Sequence, residues 1–221
     1  MQCAMFGKLP AKRDFVSYNM PRPFLDHWEA WLQSAVATSR HALGSQWQEI
    51  FLGAPIWRFW FGAQVYGVPV AGALMPSVDG VGRYFPLTIC ACEPTDMRLL
   101  PPPSSQLDSW HGLCEDFLLH MLEDHLEAEP AILLEALAFA PVEVRPQHAA
   151  ATGHMLTWTG DEGGSLATAF KTLETMNDDD VHGTRSYWWT RGGGTHLARL
   201  VAMNGRADPP FMTSLLTGSF A

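Results

Sequence analysis

An arginine, Arg83, stands where a glycine-rich turn meets an apolar stretch. Residues 76–82 (PSVDGVG) have the composition of a turn, and residues 84–90 (YFPLTIC) are rich in the aromatic and β-branched residues typical of a buried strand. A guanidinium at such a junction binds a carboxylate of its own chain, main-chain carbonyl groups or the anion of a partner. Because a buried charge must be paired, we favour an internal ion pair over a ligand site.

The N-terminal segment offers a counter-ion for that arginine. Residues 8–16 (KLPAKRDFV) mix charges with apolar anchors, as a loop that docks onto the rest of the chain does. We predict that Asp14 and Arg83 form a buried ion pair that locks this loop onto a sheet. A partner-contact role for the same residues is an equal alternative, and the two roles are compatible. With a buried pair, Arg83→Ala is expected to cost about 3–5 kcal/mol of stability.

A different chemistry would follow if Asp14, Asp79 and Arg83 lined a cleft. Two carboxylates and a guanidinium could then serve a hydrolase or a nucleotide-binding enzyme. That hypothesis requires titratable groups with displaced pKa values in a well-formed pocket. The sequence contains no G-x-S-x-G motif and no recognisable pair of nucleophile and base. We therefore predict that the protein is not an enzyme and has no catalytic residues.

Four other clusters could hold a metal ion or a phosphate, and each lacks a required part. Residues 178–182 (DDDVH) lack the glycine and the closing glutamate of a calcium loop, and residues 120–124 supply only two ligands on one helix face. Cys90 and Cys92 share one face of a strand without accompanying C-x2-C pairs, which favours a role as core filler. Residues 192–194 (GGG) suit a hairpin. We predict no metal and no cofactor.

Two adjacent tryptophans offer another candidate contact. Trp188 and Trp189 lie on a predicted strand, so that their rings point to opposite faces. The inward ring belongs to the core, and an outward ring would be a candidate anchor for a protein partner because aromatic residues dominate interface hot spots. We take Trp188 as the candidate.

Composition excludes several function classes. The 221 residues are 47% hydrophobic and carry a formal charge of −9, which argues against binding to nucleic acid or to an anionic membrane. Residues 59–78 carry no charge, but glycines and prolines interrupt them, so we expect no membrane insertion. The apolar start before Lys8 is too short for a signal peptide. We expect a cytoplasmic protein.

Periodicity predicts a helical and stranded chain that forms one domain over residues 1–221. The apolar positions of residues 22–43 recur at helical spacing, and Gly44 is a typical stop. Three consecutive apolar segments predict an antiparallel meander, and the lack of polar alternation in them indicates a sheet covered on both faces. The fold class is α/β, in three layers, with a mixed β-sheet built around this largely antiparallel central meander and with helices on both faces. The predicted strands are 56–61, 68–75, 85–92, 155–159, 185–190 and 196–203, and the other predicted helices are 105–127, 130–139, 166–176 and 209–217.

Two long motifs together resemble a known family. FGKLP at residues 6–10, followed by DFV at residues 14–16, is similar to an N-terminal signature of the TagF family of type VI secretion accessory proteins. MPSVD at residues 75–79, followed by GRYFPL at residues 82–87, is similar to its central motif. The family usually has glycine where this chain has Arg13. If that position requires a positive φ, the arginine is strained there.

The resemblance implies a regulatory function. Members of the family are associated with post-translational repression of type VI secretion, in the cytoplasm, through the system's forkhead-associated scaffold protein. We therefore expect a non-enzymatic negative regulator that binds this scaffold, and a structural accessory subunit of the secretion machine is the remaining alternative. The candidate contact or motif residues are Lys8, Leu9, Pro10, Asp14, Phe15, Ser77, Asp79, Arg83, Tyr84 and Trp188.

Overall fold

Ten strands are present in the part of the chain that the computed structural model describes. The described residues are 3–92, 98–99, 102–123, 126–137, 142–143, 156–159, 166–167, 169–170 and 183–220. The strands are β1 (Cys3–Gly7), β2 (Val16–Tyr18), β3 (Trp57–Phe61), β4 (Val70–Met75), β5 (Leu87–Cys92), β6 (Arg98–Leu99), β7 (Val142–Glu143), β8 (Leu156–Thr159), β9 (Arg185–Thr190) and β10 (Arg199–Asn204).

Eight of these strands form one sheet in the order β2-β1-β5-β4-β3-β9-β10-β8, and β6 pairs with β7 separately. The predicted meander is confirmed, since β3, β4 and β5 are consecutive and antiparallel neighbours. The predicted mixed sheet is wrong for the described strands, because every pairing among them is antiparallel. Short connections account for the pairs β1–β2, β3–β4, β4–β5 and β9–β10, since parallel neighbours need a long crossover, but β1–β5 and β3–β9 are antiparallel across long stretches of sequence.

Pairing of β1 with β5 brings the N-terminal segment close to the turn that contains Arg83. β1 pairs with β5 in a register that sets Phe6 opposite Thr88, and with β2 in one that sets Gly7 opposite Val16. The loop from residue 8 to residue 15 is thus the tip of an edge hairpin. It emerges at the end of the sheet where β4 ends and β5 begins, next to the turn that contains Arg83.

The predicted helices 22–43, 105–127, 130–139 and 209–217 are present, the last three with shifted ends, whereas the short helix at residues 63–66 was not predicted. The predicted first helix agrees at both ends with the observed one, and Gly44 follows it as the C-cap. The fourth helix ends at His120 rather than near residue 127, because the acidic residues that follow are unfavourable at the negative end of the helix dipole. The predicted helix 166–176 lies largely outside the described residues. The helices are α1 (Arg22–Leu43), α2 (Trp47–Gly53), α3 (Ala63–Tyr66), α4 (Ser105–His120), α5 (Pro130–Glu135) and α6 (Phe211–Thr217).

Buried apolar residues form two clusters, and strand alternation divides the sheet between them. Along β4, Ala71 and Ala73 belong to the cluster that includes α4, whereas Val70 and Leu74 belong to the cluster that includes α1, α2 and α6. The α/β class is thereby confirmed, because the chain contains both helices and one large antiparallel sheet. Both surfaces of the central strands are buried, which explains their continuous apolar sequences.

A fully buried arginine, Arg58, connects the middle of the sheet to α4. Its Nε and Nη2 atoms donate to the two carboxylate oxygens of Glu115 at 2.7 and 2.8 Å, and Nη1 also donates to Asp108. The two acids are seven residues apart and therefore share one face of the helix. Between them lies buried His111, whose pKa is lowered to about 3 by burial and then by the Arg58 charge. Such a bidentate pair satisfies a charge that could not otherwise remain in the core.

We expect Arg58→Ala to lower the free energy of unfolding by about 3–5 kcal/mol, because it leaves Glu115 without its cation in a mostly buried position. The matched control is Arg191→Ala, which removes an exposed arginine that contacts the same Asp108 at 3.0 Å. This control should change stability by less than about 1 kcal/mol. Urea unfolding followed by tryptophan fluorescence measures both, and equal losses in the two variants would contradict the assignment.

Candidate functional site

The N-terminal hairpin loop and the turn before β5 meet through a glycine. Gly7, at the end of β1, has a φ of +142°, and a Cβ atom there would lie 2.2 Å from the carbonyl oxygen of Pro86. Only glycine permits this approach of the two backbones. Two further contacts hold these segments together: Ser77 Oγ donates to the Lys8 carbonyl at 2.7 Å, and Gly80 N–H donates to the Lys12 carbonyl at 2.9 Å. Lys12 also pairs with Glu129, directly before α5, at 2.7 Å.

Asp79 is the centre of this junction, and its side chain is fully buried. Lys8 Nζ lies 2.5 Å from Oδ2, and Arg83 Nε donates to the same oxygen at 2.7 Å. The backbone N–H groups of Val81 and Arg83 donate to Oδ1 at 3.1 and 2.8 Å. Each carboxylate oxygen therefore accepts from two donors. This arrangement holds the turn in one conformation and stabilises the ionised form of Asp79.

These donors determine the protonation state of Asp79. Burial alone would raise the pKa of its carboxyl, but hydrogen bonds from Lys8, from the backbone and side chain of Arg83, and from the Val81 N–H hold the pKa well below its usual range. The group is thus an anion at all physiological pH values. A carboxylate held this strongly as an anion is a weak proton acceptor.

The predicted buried pair between Asp14 and Arg83 is wrong. The two groups are 3.8 Å apart, but the Asp14 side chain is 97% exposed and the Arg83 side chain is 56% exposed. The buried partner of Arg83 is Asp79, four residues before it, and the buried cation is Lys8. The large cost predicted for Arg83→Ala therefore does not apply, since Lys8 still neutralises Asp79 when Arg83 is removed. Arg13 has no positive φ, so the strain anticipated at that position is absent.

Four exposed residues form a surface at the junction, which we call the corner patch: Arg13, Phe15, Val81 and Arg83. The Phe15 ring is 46% exposed, yet it stacks on Phe6 with a centroid distance of 5.7 Å and meets Phe85 edge-on at 4.8 Å. Val81 is 55% exposed. Arg83 also donates to the Arg13 carbonyl, which ties the two arginines together. The patch combines a fixed aromatic ring with two cations.

The structure separates the remaining candidate residues into two groups. Lys8, Leu9 and Ser77 are buried and act on the shape of the junction rather than on its surface. Pro10 and Tyr84 are half-buried beside it; the Tyr84 hydroxyl accepts from Gln48, and its ring meets those of Trp47 and Phe51 of α2 edge-on.

The predicted contact role of Trp188 is wrong. Its side chain is 1% exposed and lies among the rings of Trp31, Phe59 and Phe61, while Trp189 is 3% exposed on the other side of the sheet. Because both surfaces of β9 are covered, neither ring is available to a partner. The two tryptophans are core residues.

Sequence reasoning missed a cleft of about 460 Å³ between the start of α4 and the connection from β9 to β10. Ser104, Trp189 and Arg191 are among its lining residues, and none of Asp14, Asp79 and Arg83 is. The only sequence signal is a capping serine before a helix, which occurs at many helices that bind nothing. The predicted combination of these two aspartates and Arg83 in one cleft is not found here.

Comparisons with known proteins identify the family. The profile of the TagF N-terminal domain, described as type VI secretion system-associated, matches residues 4–137. The chain belongs to the TagF family. The resemblance inferred from the two motifs is confirmed, and both motifs lie within the matched residues. No curated protein matches the chain.

A solved structure is similar to this chain over a longer stretch than the family profile. The crystal structure of PA0076 from Pseudomonas aeruginosa PAO1, at 2.05 Å resolution, superimposes with a TM-score of 0.78 and 29% sequence identity. The alignment covers 100% of this chain and 96% of PA0076. Among the described residues, no helix is long and apolar enough to cross a bilayer.

The two aspartates of the loop and turn should differ in their effect on stability. Asp79→Asn leaves Lys8 buried without its anion and should lower the free energy of unfolding by about 3–5 kcal/mol. Asp14→Asn removes a solvated charge and should change it by less than about 1 kcal/mol. Chemical denaturation of the two variants at neutral pH decides between them. A larger loss of unfolding free energy in Asp14→Asn than in Asp79→Asn would instead support the predicted buried pair between Asp14 and Arg83.

The Asp79 carboxyl should also contribute to acid sensitivity. Its folded-state pKa is lowered, so its stabilising contribution is complete above the unfolded pKa of about 3.9 and is lost as the pH falls below that value. The difference in unfolding free energy between the wild type and Asp79→Asn should therefore narrow on acidification from about pH 5 to pH 2.5. Denaturation curves at several pH values measure this, and a difference that widens with acid would contradict the lowered pKa.

Proposed function

We propose that this protein is a negative regulator of type VI secretion that acts without catalysis, in the cytoplasm, by binding the forkhead-associated scaffold protein of the system through the corner patch. The association with type VI secretion comes from the family. The observation that carries the binding part of the proposal is the half-exposed Phe15 ring, which Phe6 and Phe85 hold in a fixed position.

The corner patch has the properties of a binding anchor. Interfaces obtain most of their affinity from a few aromatic and arginine residues, and a preorganised anchor loses little conformational entropy when it binds. Phe15 has this preorganisation, because Phe6 and Phe85 fix its ring and Lys8 Nζ lies 4.8 Å from the ring centroid. The two clusters of buried residues support the three-layer architecture, which would supply a rigid base for the patch.

The charge state of the junction argues against the rival enzyme hypothesis. A hydrolase needs a general base whose pKa is near the operating pH, whereas Asp79 is a permanently ionised carboxylate whose oxygens are occupied by donors. Asp14 is almost fully exposed, so nothing in its surroundings excludes water from a reaction. Asp79 thus stabilises the structure of the junction and Asp14 adds surface charge, and neither has the properties of a general base.

We expect Phe15→Ser to weaken binding of the purified chain to the scaffold by about 30-fold, which corresponds to about 2 kcal/mol for the loss of a hot-spot residue. Leu197→Ser is the matched control. Leu197 is 52% exposed in the connection from β9 to β10, four strand spacings or about 19 Å from β1. Isothermal titration calorimetry should show unchanged affinity for the control. Equal affinity of the wild type and Phe15→Ser, with both folded, would contradict the assigned surface.

Secretion assays separate the three classes of function. Loss of a repressor raises effector release, whereas loss of a structural subunit abolishes it. Repression by binding requires about one copy of the protein per scaffold molecule, so complete repression far below that ratio would support catalysis. We expect increased release on deletion and stoichiometric repression on overexpression.

A further inference from the structure

Three sulfur atoms converge where the chain enters α1. Cys90 Sγ lies 4.0 Å from Cys92 Sγ and 3.6 Å from Met20 Sδ. Cys90 and Cys92 are two residues apart on β5 and so share one face of the sheet. Met20 stands directly before Pro21, the N-cap of α1. Residues that are 70 positions apart in sequence thus bring together two thiols and a thioether.

The separations of Cys90 Sγ from the other two sulfur atoms are those of sulfur ligands around one metal ion. With metal–sulfur bonds of about 2.3 Å, two ligands of a trigonal site are about 4.0 Å apart and two ligands of a tetrahedral site are about 3.8 Å apart. Sulfur atoms in simple van der Waals contact have similar separations. The assignment therefore rests on the donor set and on access: Cys90 is buried, whereas Cys92 and Met20 are partly exposed and open the group to solvent.

We propose that Cys90, Cys92 and Met20 form a binding site for Cu(I). Thiolates and thioethers are soft ligands that select this monovalent ion, and three of them complete a trigonal site. A structural zinc site needs four ligands, and within the described residues no three His, Cys, Asp or Glu side chains are grouped to hold a metal. This site is independent of the corner patch and of the function proposed for it.

The surroundings suit the charge of such a complex. Binding exchanges the protons of two thiols for one Cu(I), without a change of oxidation state, so the complex carries one negative charge. The first turn of α1 contains no acidic residue, and the positive end of this helix dipole lies next to Met20.

The experiment is an anaerobic titration of the reduced full chain with Cu(I) in competition with a chromogenic Cu(I) chelator. The wild type should bind one equivalent. Cys92→Ala should lose at least about 100-fold in affinity, and Met20→Leu, which conserves volume, about 10-fold. Cys114→Ala is the matched control, because Cys114 is a buried free cysteine in the other core cluster. It should bind Cu(I) as the wild type does.

X-ray absorption spectroscopy of the loaded protein gives a second measurement that does not depend on affinity. Three sulfur neighbours at one shell distance are expected for the wild type, and two for Met20→Leu. The proposal is overturned if the wild type binds no more tightly than Cys92→Ala, if Cys114→Ala abolishes binding, or if Zn(II) displaces Cu(I). Circular dichroism of each variant tests whether it is folded, so that a loss of Cu(I) binding can be distinguished from unfolding.

Discussion

The buried carboxylate of Asp79 is the interaction on which the rest of the junction depends. Its two oxygens bind the Lys8 ammonium, the Arg83 guanidinium and two backbone N–H groups, so one side chain fixes the end of β1, the turn before β5 and the direction of Arg83. The buried Lys8 ammonium could not stay in the low-dielectric interior without this anion. Two of these donors connect Asp79 to the corner patch: Arg83 also donates to the Arg13 carbonyl, and Lys8 Nζ lies 4.8 Å from the Phe15 ring centroid.

A second buried ion pair performs a comparable task in the middle of the sheet. Arg58 joins β3 to Glu115 and Asp108 of α4, and on the same side of the sheet His111 of α4 meets the ring of Trp189 of β9 at a centroid distance of 4.8 Å. The two ion pairs have different consequences for function. Arg58 and Glu115 lie mostly in the core, where their pairing stabilises the contact between the sheet and α4, whereas the Asp79 pair lies directly beneath exposed residues. A change at Asp79 should therefore alter the surface proposed for binding, and a change at Arg58 should mainly lower the stability of the fold.

Local patterns predicted much of the fold, and long-range pairing explains what they missed. The spacing of Phe24, Trp28 and Trp31 is a property of one helix, so α1 was predicted at both ends. Glycine and proline between apolar segments likewise predicted the meander. By contrast, the partner of a charge depends on register across the sheet. Arg83 has acids at two nearby positions in space, and only the pairing of β1 with β5 shows that Lys8 reaches Asp79 while Asp14 stays in solvent. Trp188 was misassigned for the same reason, since coverage of β9 depends on distant helices.

We propose that the scaffold protein recognises a surface that this junction forms before binding. Hydrogen–deuterium exchange of the full chain, with and without the scaffold protein, is the decisive measurement. Residues 9–16 and 79–85 should exchange more slowly in the complex, with little change elsewhere. Protection confined to another surface, with these two segments unaffected, would contradict this proposal.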